Sequence, residues 1–83
     1  MPLFFIIWDD ETERHVAQNA VTSAEFDEVL LAAAETEIEP NKEPGRFEVV
    51  GETAAGRLLK CVFEYIDDVT ISPVNAFKVG KGE

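Results

Sequence analysis

The chain has 83 residues, 46% of them hydrophobic, with 17 acids against 7 lysines and arginines and a formal net charge of −10. That length allows one domain, 1–83, and no second core, while the apolar fraction excludes a disordered chain. A single cysteine, Cys61, excludes an internal disulfide framework and a multi-cysteine metal centre.

The first element is Leu3–Trp8, six apolar residues rich in aromatic and β-branched side chains. It reads as a strand covered on both faces, placed inside a sheet. It is too short for a signal-peptide core or a membrane span and lacks a basic leader, so a cytoplasmic protein is expected. Asp9 and Asp10 offer helix N-caps, with Glu13 three residues after Asp10, and a short helix over about 10–19 turns Val16 and Ala20 inward.

Thr22-Ser23-Ala24-Glu25 is a capping box, in which the hydroxyl and the carboxylate each satisfy a backbone N–H of the other residue. Phe26, Val29, Leu30 and Ala33 follow at helical spacing and form one apolar stripe on a helix over 23–35. Thr36–Pro44 is acidic, carries two prolines and is expected to be a mobile loop.

A meander follows. Arg46–Gly51 alternates, with Phe47 and Val49 on one face, and Arg57–Ile66 places Leu59, Cys61, Phe63 and Tyr65 on one face. Asp67-Asp68 turns the chain into Val69–Lys78, where Pro73 cannot donate to a ladder and marks an edge or a bulge. Gly80–Glu83 is expected to fray. The order β-α-α-β-β-β predicts a two-layer α+β domain, with two helices on one face of a mainly antiparallel four-stranded sheet. Phe26, Val29 and Leu30 should meet Leu59, Cys61 and Phe63.

Charge is uneven: residues 1–43 hold 11 acids and 2 bases, and residues 44–83 hold 6 acids and 5 bases. Phosphate neutralisation by lysine and arginine supplies most non-specific nucleic-acid affinity, so DNA binding by the chain alone is not expected and RNA is at best a weak ligand. A basic partner protein is the natural complement. His15 is the one histidine and the first candidate for proton transfer at neutral pH, against the reading of an exposed surface residue. Arg46 and Arg57 could clamp a phosphate or stabilise charge as a phosphodiester breaks, against the reading of pairing with nearby acids such as Glu48 and Glu52. Lys60 and Lys78 read as solubilising charge, and Cys61 as an inert core thiol. The ligand spacings of a metal site and the glycine-rich loops of cofactor sites are missing, so neither is expected.

Several segments, taken in order, resemble the BrnT family. They are Trp8-Asp9-Asp10; Glu13-Arg14-His15-Val16; Asn19 through Leu30; Gly45-Arg46-Phe47-Glu48-Val49-Val50-Gly51-Glu52-Thr53; Gly56-Arg57-Leu58-Leu59 with Val62-Phe63; and Val74-Asn75-Ala76. The resemblance spans nearly the whole chain and implies a RelE-like fold. It also implies a ribonuclease toxin of a type II toxin–antitoxin pair, neutralised by an antitoxin. By position it assigns Arg57 and His15 to the site, with Arg46 and Lys78 as further cations for the scissile phosphate. The pattern is broken where the family has a second histidine (Asn19), a glycine (Ala20) and an arginine after the Ser/Thr-Ala pair (Phe77). The family's basic C-terminal helix is replaced by Lys78–Glu83. These departures point to weak or lost RNA cleavage, with a catalytically inactive, protein-binding relative as the alternative. The surface around Val74 and Phe77, with no helix to cover it, is expected to meet an antitoxin-like protein or a second copy.

Overall fold

The computed structural model describes residues 5–33 and 37–79. Its order is β1 (Phe5–Ile6), α1 (Asp10–Gln18), α2 (Ser23–Ala32), β2 (Glu39–Pro40), β3 (Phe47–Glu52), β4 (Leu58–Tyr65) and β5 (Thr70–Lys78). The expected strand residues Leu3 and Phe4, the expected helix end at Glu35 and the tail from Gly80 lie outside the described residues.

The strands form one mixed sheet in the order β1-β5-β4-β3-β2, five-stranded rather than four. The extra strand, β2, comes from the segment expected to be a loop. It is two residues long, pairs Glu39 with Glu48 and Pro40 with Phe47, and continues into a hydrogen bond from the Asn41 amide to the Arg46 carbonyl at 2.8 Å. So short a strand carries no readable alternation, and its proline is tolerated because it lies at an edge. The β3-β4-β5 meander is antiparallel as expected, and β1 joins β5 in parallel.

β1 is a second correction. It forms the other edge instead of an interior strand, and Phe5 is 62% exposed. The continuous apolar run suggested burial on both faces, but among its described residues Ile6 and Trp8 pack against the core while Phe5 does not. Pro73 takes the bulge: Val62 pairs with Asn75 and Phe63 with Pro73, leaving Val74 as the additional residue of β5.

The helices start where their caps dictate. Asp9, rather than Asp10, caps α1 by accepting from the Thr12 amide at 2.7 Å. The Thr22–Glu25 capping box is complete at the start of α2. α1 closes in a left-handed cap: the Val21 amide reaches the Val16 carbonyl, the Ala20 amide reaches that of Ala17, and Ala20 sits at φ 61°. Ala20 is therefore exposed and does not turn inward as expected, whereas Val16 is fully buried. α2 stops at Ala32, because Ala33 takes an extended conformation.

The core fills the space between α2 and the β3–β4–β5 face. Phe26, Val29 and Leu30 are buried with Val49, Leu59, Cys61, Phe63, Ile71 and Ala76, and Val16 of α1 joins them. Each large side chain so enclosed contributes about 1.5–3 kcal/mol. Trp8 closes one end, edge-on to Phe26 at 5.1 Å, with its indole N–H donated to Asp27 Oδ1 at 2.9 Å. Gly51 allows α2 to approach β3, since a Cβ there would stand 2.9 Å from Val29 Cγ1. α1 packs along β5, and Asn19 Nδ2 donates to the Ala76 carbonyl at 3.0 Å.

Candidate functional site

Side-chain alternation gives the sheet an outer face, opposite the α2 core. On β4 and β5 it carries two neighbouring ladder pairs, Lys60 with Phe77 and Val62 with Asn75. α1 contributes a stripe of Glu11, Thr12 and His15, spaced to share one helix face. The approach to β3 adds Asn41, Lys42 and Arg46. Together with the bulged Val74 these residues line a groove of about 630 Å³.

The groove collects cations from a strongly acidic chain, and most already face a carboxylate. Lys60 Nζ lies 3.1 Å from Glu48 Oε2, while the other Glu48 oxygen accepts from Asn41 Nδ2 at 2.7 Å. Arg46 Nε stands 3.5 Å from Glu64 Oε2, with the two side chains 41% and 48% exposed. So loose and exposed an ion pair contributes little, and Arg46 can exchange its partner for another anion at small cost. Lys60 also stands over the Phe77 ring, 6.0 Å from its centroid, and that ring is 37% exposed. The floor is apolar, the rim is charged, and the one acid in the lining is Glu11.

His15, Arg46, Val74 and Phe77 are therefore brought together, and Arg57 and Lys78 are not. Arg57 begins the β4 side of the hairpin and reaches the helix layer. Its Nη1 donates to both Glu25 oxygens, at 2.8 and 2.6 Å, and its Nη2 to the Ala20 carbonyl at 2.8 Å. Lys78 follows Phe77 on β5 and so points to the opposite side of the sheet. Arg46 and Arg57 both pair with acids, Glu64 and Glu25 respectively.

Lys42 and Asn41 are groove residues that sequence reasoning passed over, and Lys60, read there as solubilising charge, lines the groove as well. A usable signal existed for Lys60: it interrupts the apolar run of β4 on the face opposite Leu59 and Cys61. For Lys42 and Asn41 the only signal was tertiary.

Two perturbed groups bear on the chemistry. The Thr22 backbone N–H, with the Arg57 guanidinium adding to it, holds the Glu25 carboxyl below its usual range. Burial pushes the Cys61 thiol up to about 12, with Asp27 adding repulsion, which makes it unreactive in the folded state. Among the described residues no cluster of histidine, cysteine and acids could hold a metal ion, and no helix is long and apolar enough to cross a membrane.

No protein-family profile and no curated protein matches the sequence. A solved structure does match in three dimensions: the 1.1 Å crystal structure of BrnT, the ribonuclease toxin of Brucella abortus. The TM-score is 0.71 at 18% sequence identity, over 94% of this chain and 99% of that one. Over 94% of its length, the chain has the α+β fold of the BrnT toxin.

Proposed function

We propose that the chain is a BrnT-like toxin component of a type II toxin–antitoxin pair, acting in the cytoplasm, with RNA-cleaving activity that is weak or lost. The observation that carries this reading is the fold shared with a ribonuclease toxin over almost the full length of both chains. Arg46 and His15 are assigned to the phosphodiester because they face the same groove as Lys60 and Lys42. Arg46 would stabilise charge on the phosphate, and His15 would move the proton. Arg57 acts as a positioning residue through Glu25 and Ala20, and Lys78 adds positive field from the far side of β5. An antitoxin-like protein or a second copy would cover the apolar surface at Val74 and Phe77.

Weakness follows from the same residues. Phe77 stands where the resembled toxins carry an arginine, and loss of one charge-stabilising donor costs on the order of 10²–10³ in rate. Lys60 and Arg46 each face a carboxylate already. These features favour the second reading, a protein-binding module that keeps the fold without the chemistry. Induced expression separates the two: slowed growth with loss of mRNA supports the toxin, and normal growth with intact mRNA supports the module.

A further inference from the structure

Phe77 has no role in the core. It lies on the outer face of the sheet, 37% exposed and paired with Lys60, while Leu59 and Cys61 on either side of Lys60 and Ala76 just before Phe77 fill the interior. A large aromatic ring left at the surface of a groove beside cations is the arrangement by which proteins hold unpaired bases: the ring meets the base and the cations meet the backbone. Lys60 stands over that ring, and Arg46 and Lys42 line the same cavity. Its volume of about 630 Å³ is within the roughly 300–1,000 Å³ range of small-molecule sites. A net charge of −10 disfavours a polyanion over much of the surface, whereas Lys42, Arg46 and Lys60 gather at the groove.

We propose that the groove binds a single unpaired nucleotide of RNA, with the base stacked on Phe77 and an adjoining phosphate met by Lys60 and Arg46. This rests on the reading of the chain as an RNA-directed toxin relative and assigns to Phe77 a positioning role for the base. The residue that weakens cleavage by displacing a guanidinium thereby supplies binding of another kind. Because only one or two phosphates are engaged, affinity depends shallowly on salt, with a log–log slope of about −0.7 per phosphate.

The test is fluorescence anisotropy with a short labelled single-stranded RNA, on wild type, Phe77→Ala and Phe77→Trp. Circular dichroism serves as a check that each variant is folded. Phe77→Ala is expected to weaken binding about 5- to 150-fold, Phe77→Trp to retain it, and a duplex of the same sequence to bind poorly. Equal affinity for wild type and Phe77→Ala, equal binding of the duplex, or no RNA binding with capture of an acidic aromatic peptide instead would each overturn the proposal. The failures are distinguishable. Phe77-dependent binding without cleavage or growth arrest keeps this inference and removes the toxin activity; cleavage indifferent to Phe77→Ala does the reverse.

Discussion

Arg57 and Glu25 fasten the meander to the second helix. One guanidinium nitrogen reaches both carboxylate oxygens, and the same arginine donates to the Ala20 carbonyl that ends the α1–α2 turn. The pair is largely shielded, with side chains 30% and 21% exposed. Glu25 is simultaneously the reaching-back half of the capping box. One contact thus couples the start of a strand, the start of a helix and the connection between helices.

Arg57→Ala should therefore destabilise the fold by about 1–3 kcal/mol, since it strands a carboxylate that the site has partly desolvated. Urea denaturation checks this through the shift in midpoint at unchanged slope. Any loss of RNA handling in this variant must be read against its stability, so Arg57→Lys, which keeps the charge but not the fork, is the matched control. An unchanged midpoint would show the contact to be idle.

Ala20→Gly should do the opposite. Ala20 occupies the left-handed cap of α1 at φ 61°, where a Cβ is unfavourable and glycine is at ease. The gain expected is about 1 kcal/mol, or a rise in melting temperature of about 4–8 °C for a domain of this size. Calorimetry measures it directly, and a lowered melting temperature would mean that the cap is relaxed in solution.

The pH dependence has a definite sign. The Thr22 backbone N–H and the Arg57 guanidinium depress Glu25 below its ordinary value. Its contribution is full above that ordinary value and is lost as pH falls through the lower folded-state one. Asp9, through the Thr12 backbone N–H, and Asp67, through that of Val69, are lowered in the same direction. The stability difference between wild type and Glu25→Gln should be constant near neutrality and shrink on acidification below about pH 4.5. Denaturation midpoints measured across that window decide it; a difference that grows toward acid would reverse the assignment.

Cys61 should resist thiol reagents. It is fully buried, with its thiol held protonated up to about 12. Labelling under native conditions is expected only at the rate of unfolding, and rapidly in denaturant. Prompt stoichiometric labelling of the folded protein would place Cys61 outside the core.

Much of the fold was legible because its signals are local. The Thr22–Glu25 box, the stripe Phe26-Val29-Leu30, and the alternation of Leu59, Cys61 and Phe63 each depend on spacings of two to four residues. The edge position of β1 was not legible: an apolar run looks the same whether both faces are covered or, as at Phe5, one is left open. β2 is too short for periodicity to exist. The groove was half legible. His15, Arg46, Val74 and Phe77 stand out by residue type, but only the packing of α1 along β5 brings them to one place, and only tertiary structure sends Arg57 to the helix side. Ala20 was visible as an irregular residue in the resembled pattern, while its backbone conformation was not.

On the proposed reading, the groove between α1 and the outer sheet face meets RNA with little catalytic power left. Single-turnover cleavage of a labelled RNA by excess purified protein, beside BrnT and the variants Arg46→Ala and His15→Ala, tests it most directly. Cleavage is expected to be at least about 100-fold slower than by BrnT, with any residual rate removed by Arg46→Ala. Cleavage at a rate comparable to BrnT, or cleavage that survives both substitutions, would contradict it.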